Sequence, residues 1–326
     1  MEKKTQFSKD IIQLKDVEFV VDRICSKLKE DVFHTLRRKG GVVGISGGID
    51  SSVTLALAVR AFGADNLIGI MLPEKDSCPE SKILAQKLAD KFGVKTVVED
   101  ISSALQGFQC YSRRDEAVKR VIPAFNPLKD KMKIGIPIEI IENNLPPVFH
   151  VTVVYNNGAQ ESKRLPINEY LQIVAASNFK QRSRMAMLYY HAEMLHYAVL
   201  GTPNKHEVEQ GFFVKYGDGG ADVMPIGGLF KTQVYQIADY LGIPEEIICR
   251  TPTTDTYSAE QTQEEFFYQL PFEEMDLLWY GWENGYLANE VAPILNFHED
   301  FVLKNFKNFE RKKKTSEYLR MSPIRD

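Results

Sequence analysis

The sequence predicts an α/β protein built on a doubly wound parallel sheet. From residue 40 to about 105, short apolar runs alternate with helix-length amphipathic stretches. The runs are too short to be helices and too continuously apolar to have a wet face, which fits strands buried on both sides. Strand–helix–strand units of this length close by right-handed crossovers, which cover both faces of a parallel sheet.

Val17, Val20, Val21, Ile24, Leu28 and Val32 recur at intervals of three and four, so an amphipathic helix is expected over roughly residues 9–38. GGVVGISGG is a short strand breaking into glycines, and Ser51 to Phe62 is the helix after it. Asn66 to Leu72 is a buried strand, Cys78 to Phe92 a helix, and VKTVVED a further strand. Residues from about 108 to 175 break this rhythm with a basic stretch (Arg113, Arg114, Lys119, Arg120), a proline-containing region and a β-hairpin turning at Asn156-Asn157-Gly158. Helical periodicity resumes from Tyr170 to about Leu200, a glycine-rich loop spans Tyr216 to Gly220, and a helix runs from Lys231 to Leu241 until Gly242 and Pro244 stop it. The expectation is one domain over residues 1–326, with an inserted β-hairpin region at about 108–175 and a basic C-terminal tail at about 304–326.

Composition bounds the function. A chain of 326 residues, 44% hydrophobic and 26% charged, buries a full core and is neither disordered nor fibrous. A net charge of −4 gives no general attraction to phosphate backbones, so nucleic acid is not an expected partner. Cys25, Cys78, Cys110 and Cys249 form no CxxC pair and read as reduced, mostly buried thiols. The N-terminus lacks the apolar core of a signal peptide, and no apolar run approaches the ~20 residues of a membrane span. A cytoplasmic protein with no membrane partner is expected.

The chemistry is carried first by Gly44-Ile45-Ser46-Gly47-Gly48-Ile49-Asp50-Ser51-Ser52, at the junction of the first strand and its helix. Glycines let backbone approach phosphate oxygens, while Ser46, Ser51 and the first helical N–H groups donate where the helix dipole favours anions. An acidic residue inside an anion site is costly unless a cation is present, so Asp50 implies Mg²⁺. Neither GxxxxGK[ST] nor GxGxxG occurs here. The segment resembles the SGGxDS loop of the PP-loop ATP pyrophosphatases, which split ATP into AMP and diphosphate while adenylating a substrate; the resemblance implies their adenine nucleotide alpha hydrolase-like fold. Met71-Leu72-Pro73 ends the next strand at the carboxyl edge of the sheet, where adenine is expected to lie.

From residue 178 the resemblance narrows. NFKQRSRM (178–185), Gly201-Thr202 with Glu207, GFFVKYGDGGAD (211–222), Lys231 and TPTTD (251–255) follow one another as in the ammonia-dependent NAD synthetases. The resemblance implies ATP contacts from Thr202, Lys231 and Thr253, with Lys231 neutralising phosphate charge as diphosphate leaves. It implies Asp50 and Glu207 as Mg²⁺ ligands, and Arg182, Lys215 and Asp222 as residues holding the acidic dinucleotide. The bland alternatives are a solvated Arg182 on a helix face and an exposed Lys231 in a first helical turn.

The activity implied is amidation of deamido-NAD (nicotinate adenine dinucleotide) by ammonia through an acyl adenylate, in a homodimer. Glutamine-using relatives carry a nitrilase-like domain that this chain has no room for, so ammonia is the direct donor or a separate partner supplies it. Two features depart from the family. The 108–175 region is longer and either reshapes the acceptor pocket or decorates an edge. The C-terminal His-Lys pair is replaced by Arg311-Lys312-Lys313-Lys314, which reads either as a phosphate-binding equivalent or as a solvated basic tail. His206 has no HxxxH partner and reads as a packing or surface residue, and Glu273, Glu274 and Asp276 read as a solvated helix start. Other readings are the same ligase chemistry on another nucleotide- or sugar-linked carboxylate, or a non-catalytic nucleotide-binding module. A tRNA-modifying PP-loop enzyme normally brings extra cysteines and a basic surface, and neither is here.

Overall fold

Each central strand points alternate side chains into two different cores, and this places helices on both sides of the sheet. The computed structural model describes residues 5–136, 148–253, 256–263 and 270–325. Within them, strands β1 (Gly41–Gly44), β2 (Leu67–Met71), β3 (Lys95–Val98) and β7 (Ala198–Leu200) form a parallel sheet in the order β3-β2-β1-β7. Val43, Leu67, Met71 and Leu200 face a core shared with helices α1 (Val17–Lys29), α2 (Ile49–Phe62) and α3 (Pro79–Phe92). Val42, Ile70 and Val199 face Met185, Leu188 and Ala192 on the opposite side. The doubly wound parallel sheet expected from the sequence is therefore the architecture observed.

The N-terminal helix differs from its expected span. Asp16 accepts a hydrogen bond from Phe19 N and caps α1, a separate 3-10 turn covers Lys9–Ile12, and Glu30–Thr35 widens into a π turn. Periodicity joined these pieces because the cap is a single side chain.

A second sheet follows α4 (Ser102–Gly107) and α5 (Cys110–Val121). The chain reverses at the expected place, with Gly158 at φ 84°, between β5 (His150–Val154) and β6 (Gln160–Arg164). Beyond the expected hairpin, β4 (Lys131–Gly135) pairs antiparallel with β5. Met132 and Ile134 of β4, Val151 and Val153 of β5, and Val118 and Ile122 of α5 fill one small core. The proline-containing stretch at 137–147 lies outside the described residues.

Helix α6 (Ile167–Leu195) ends where His196 turns left-handed at φ 57° and Tyr197 N donates to Ala192 O. The expected helix to Leu200 is corrected here: Ala198–Leu200 is strand β7, paired with β1. A short buried apolar run has the same pattern in a helix or a strand, and the pairing with β1 decides it.

The remaining helices are α7 (Lys205–Gln210), α8 (Lys231–Tyr240), α9 (Glu245–Ile248), α10 (Phe272–Glu283), α11 (Ala288–Leu295), α12 (Glu299–Thr315) and α13 (Glu317–Arg320). Trp279 of α10, Val291 of α11 and Phe309 of α12 pack with Phe7 and Ile12 into a C-terminal core. Residues 304–315 are thus helical, and Phe309 is buried. Cys25 and Cys110 are buried, Cys78 is half-buried and Cys249 is exposed, so the expectation of mostly buried thiols holds for two of the four. No described helix is long and apolar enough to cross a membrane.

Candidate active site

In an open α/β sheet, ligands bind beyond the carboxyl ends of the strands where neighbouring strands send the chain in opposite directions. Here that place lies between β1 and β7. The helix after β1, α2, packs on one face, and the helix before β7, α6, packs on the other. A cavity of about 300 Å³ opens there.

Gly44, Ile45, Ser46, Gly48, Ile49, Asp50 and Ser51 line it from the β1–α2 connection, and Met71, Leu72 and Pro73 from the end of β2. The loop is held by its own hydroxyls: Ser51 Oγ and Ser52 Oγ donate to Gly48 O at 3.0 and 2.8 Å. The first turn of α2 therefore presents its positive end to the cavity. Gly47 does not line it and works from behind. Its φ is +71°, and a Cβ there would stand 2.6 Å from Ser81 O and 2.8 Å from Leu84 Cβ. Gly47→Ala is expected to destabilise the fold by about 1–3 kcal/mol by displacing the loop against α3, measured by chemical denaturation.

Thr202 and Glu207 close the opposite wall, and Thr253 a third. Thr202 follows β7 after Gly201, where the sequence suggested a helix end; of the 251–255 motif that holds Thr253, Thr254 and Asp255 lie outside the described residues. Lys231 is wholly buried behind the wall, contrary to an exposed first turn, and its Nζ donates to Asp50 Oδ2 at 2.5 Å. Burial pulls the Lys231 ammonium down, but the carboxylates of Asp50 and Glu207 outweigh it and hold it above its ordinary value. Asn204 joins the carboxylates: its Oδ1 accepts from Glu207 N, its backbone N–H donates to Glu207 Oε2 at 2.8 Å, and its Nδ2 donates to Asp50 Oδ1 at 3.4 Å.

Glu207 sits deep among protein atoms yet keeps a face open to the cavity. Burial, then the nearby Asp50, pushes its carboxyl up from 4.5 to about 8. Glu207 is therefore more protonated in the fold than in the unfolded chain. Its contribution to stability is intact below 4.5 and lost as pH rises towards about 8. Without divalent cations, the melting temperature of Glu207→Gln is expected to gain on that of the wild-type chain between pH 5 and about 8, in parallel thermal scans.

Asp50 and Glu207 are also the groups that fit a metal. Among the described residues no three His, Cys, Asp or Glu side chains converge as a closed metal cage. Two carboxylates beside a phosphate loop, with the remaining positions left to phosphate oxygens and water, suit a hard divalent cation.

Arg182, Lys215 and Asp222 do not line this cavity. Arg182 Nε donates to Lys215 O at 3.1 Å, and Lys215 Nζ donates to Tyr318 O and Met321 O at 2.8 and 2.9 Å. Asp222 accepts from Tyr189 Oη at 2.9 Å and from Val199 N at 2.8 Å. The Arg311–Lys314 cluster is likewise absent from the lining: Lys312 Nζ donates to Gln210 Oε1 at 3.1 Å, and Lys313 pairs with Glu209.

Five further lining residues carry no role in the sequence analysis: Gln181, Arg184 and Asp218, which lie inside the quoted motifs, and Lys82 and Arg250, which lie outside them. Arg184 donates to Leu72 O at 3.3 Å and Arg250 to Ser81 Oγ at 3.0 Å, so both bring cations to the rim. Burial pushes the Asp218 carboxyl up to about 6. Behind the 73–77 turn, Lys180 donates to Glu74 Oε1 and Asp76 Oδ2 at 2.9 and 2.7 Å. One signal was available. Lys180 falls in phase with Ile173, Ala176 and Ser177 on the buried stripe of α6, where a lysine needs a partner.

The family model described as NAD synthase matches residues 20–126 and 128–323. The chain is 46% identical to the NH(3)-dependent NAD(+) synthetase of Mesorhizobium japonicum over 310 residues, covering 95% of this chain and 96% of that one. It is 30% identical to the protein of the same name from Methanocaldococcus jannaschii, covering 89% and 93%. The fold is shared with the NH3-dependent NAD synthetase of Campylobacter jejuni, with TM-score 0.61, 19% identity and coverage of 96% and 100%. It is also shared with the NMN synthetase of Francisella tularensis, with TM-score 0.62, 20% identity and coverage of 95% and 98%. The nucleotide-loop geometry and these sequence matches lead to one conclusion: the chain belongs to the NAD synthase family.

Proposed function

We infer that this protein is an ammonia-dependent NAD synthetase, a ligase that uses ATP to amidate deamido-NAD with ammonia, giving NAD⁺, AMP and diphosphate. The observation that carries the reading is the convergence of the β1–α2 loop, Asp50 and Glu207 on one cavity at the strand ends, with Lys231 bonded to Asp50 from behind the wall. In the reaction, a carboxylate oxygen of the acceptor attacks the α-phosphorus of ATP, the bond to the β-phosphate oxygen breaks, and ammonia then displaces AMP from the acyl adenylate. The N–H groups of the loop and of the first turn of α2 hold phosphate oxygens, with Ser46 and Ser51 as further donors. Lys231 supplies fixed positive charge where negative charge collects on the departing diphosphate. Asp50 and Glu207 hold Mg²⁺, which when bound neutralises phosphate charge and orients the leaving group. Met71 lies against adenine, and Thr202 and Thr253 add hydroxyl contacts to ATP. No covalent enzyme intermediate is needed, since positioning and electrostatics carry the rate.

Arg182, Lys215 and Asp222 are proposed to hold deamido-NAD beyond the ATP cavity. The enzyme is proposed to be a cytoplasmic homodimer working as one NAD synthetase-like domain, supplied with ammonia directly or by a separate partner.

The test mixes the purified protein with Mg·ATP, ammonium and deamido-NAD and follows NAD⁺, AMP and diphosphate together. NAD⁺ formed in step with AMP is the expected result. AMP released only with another carboxylate, such as nicotinate mononucleotide, keeps the ligase class and replaces the acceptor. No AMP with any acceptor leaves a nucleotide-binding module.

A further inference from the structure

His206, expected to pack or to lie at the surface, and Asp276, expected to be solvated, form a single buried pair behind the candidate site. Both are completely buried, and Asp276 corrects the expectation of a solvated helix start. His206 Nε2 donates to Asp276 Oδ1 at 2.6 Å. Asp276 Oδ2 accepts from Thr232 N at 2.8 Å and from Thr232 Oγ1 at 2.6 Å. Behind the imidazole, Gln210 Nε2 donates to His206 Nδ1 at 3.1 Å, and Lys312 Nζ fixes that amide by donating to its Oε1. This assigns the His206 tautomer as Nε2–H.

The position of these contacts in the chain gives them meaning. His206 immediately precedes Glu207, and Thr232 immediately follows Lys231. One carboxylate on α10 therefore grips the residue next to the proposed metal ligand on α7 and the residue next to the phosphate-neutralising lysine on α8. Trp279 and Phe230 pack against the imidazole, so an apolar residue at 276 would fill the space without desolvating a charge. What Asp276 adds is direction, since donors from two helices converge on its two oxygens.

We propose that Asp276 is a positioning residue for the ligase reaction, setting the separation of Glu207 and Lys231 around Asp50 through His206 and Thr232. The inference rests on the ligase reading above. Asp276→Asn keeps the volume but turns one acceptor into an NH2 that must face the His206 donor or the Thr232 donors. Its kcat is expected to fall about 10- to 100-fold, and the Mg²⁺ concentration for half-maximal rate to rise, as when a residue behind a metal ligand is lost. The KM for deamido-NAD is expected to stay within about twofold, because that acceptor is held elsewhere. Thr232→Val removes one donor and is expected to lower kcat about fivefold, with recovery in Thr232→Ser, which keeps the hydroxyl.

Folded variants with unchanged kcat and Mg²⁺ dependence, whatever their melting temperatures, would overturn the proposal and leave Asp276 a purely structural residue. So would a change confined to the KM for deamido-NAD. If Asp276→Asn does not fold, the Thr232 pair decides alone. A wild-type protein that releases no AMP with any acceptor is a failure of the ligase reading, separate from a working wild type with indifferent variants.

Discussion

Asp50→Ala is expected to lower the rate of NAD⁺ formation by about a thousandfold, the scale of losing a charge-organising group at a phosphoryl centre. Two losses combine in it. The metal position keeps one carboxylate, Glu207, where two face the cavity in the wild type. Lys231, wholly buried and donating to Asp50 Oδ2, also loses its main counter-charge. Removing one partner of a buried ion pair costs about 3–5 kcal/mol, so the variant is also expected to melt earlier. Asp50→Asn separates the effects: it keeps an acceptor for Lys231 and should recover much of the melting temperature without the rate. A rate within tenfold of wild type in Asp50→Asn would falsify the role of the Asp50 charge.

Lys180→Met is expected to have the largest effect on stability, about 3–5 kcal/mol in chemical denaturation. Lys180 is 1% exposed and reaches Glu74, Asp76 and the carbonyl of Thr256. Asp76 keeps Arg114, but Glu74, itself 5% exposed, is left with the Tyr111 hydroxyl and the Asp76 N–H and no cation among its hydrogen-bond partners in the described residues. Burial alone would raise the Asp76 carboxyl; Arg114 and Lys180 together hold it below its ordinary value, so this part of the stability is present near neutral pH and lost as pH falls through the lowered value. Glu74 and Asp76 also shape the turn leading from Pro73 to Ser77, both in the cavity wall, so ATP binding should weaken as well. A Lys180→Met protein as stable as wild type would mean that Glu74 is satisfied by other means.

The fold class and the phosphate loop were legible because both are local. Alternating apolar runs report burial on two faces, and nine contiguous residues from Gly44 to Ser52 carry a strand end, a turn and a helix start together. The capping box Asn204-x-x-Glu207 was written in the sequence too, but nothing local shows that Asn204 also reaches Asp50. Strand β7 was hidden inside a helical reading because Ala198–Leu200 is too short for its period to be told apart. Met132 and Ile134 of β4 alternate with polar residues, but a five-residue run gains its identity as a strand only from pairing with β5.

Residue chemistry and spacing along the chain were therefore enough for a doubly wound sheet and a glycine-rich turn with Asp50 at a strand end, while Glu207 and Lys231 were pointed to by the family resemblance. Three-dimensional packing alone decided that Lys231 is buried against Asp50, that Asp276 stands behind Glu207 and Lys231, and that Lys180 sits between two carboxylates. The reason is physical. A helix start or a glycine turn is set by interactions within a few residues, whereas the state of a charged side chain depends on burial and on partners up to 181 positions away along the chain.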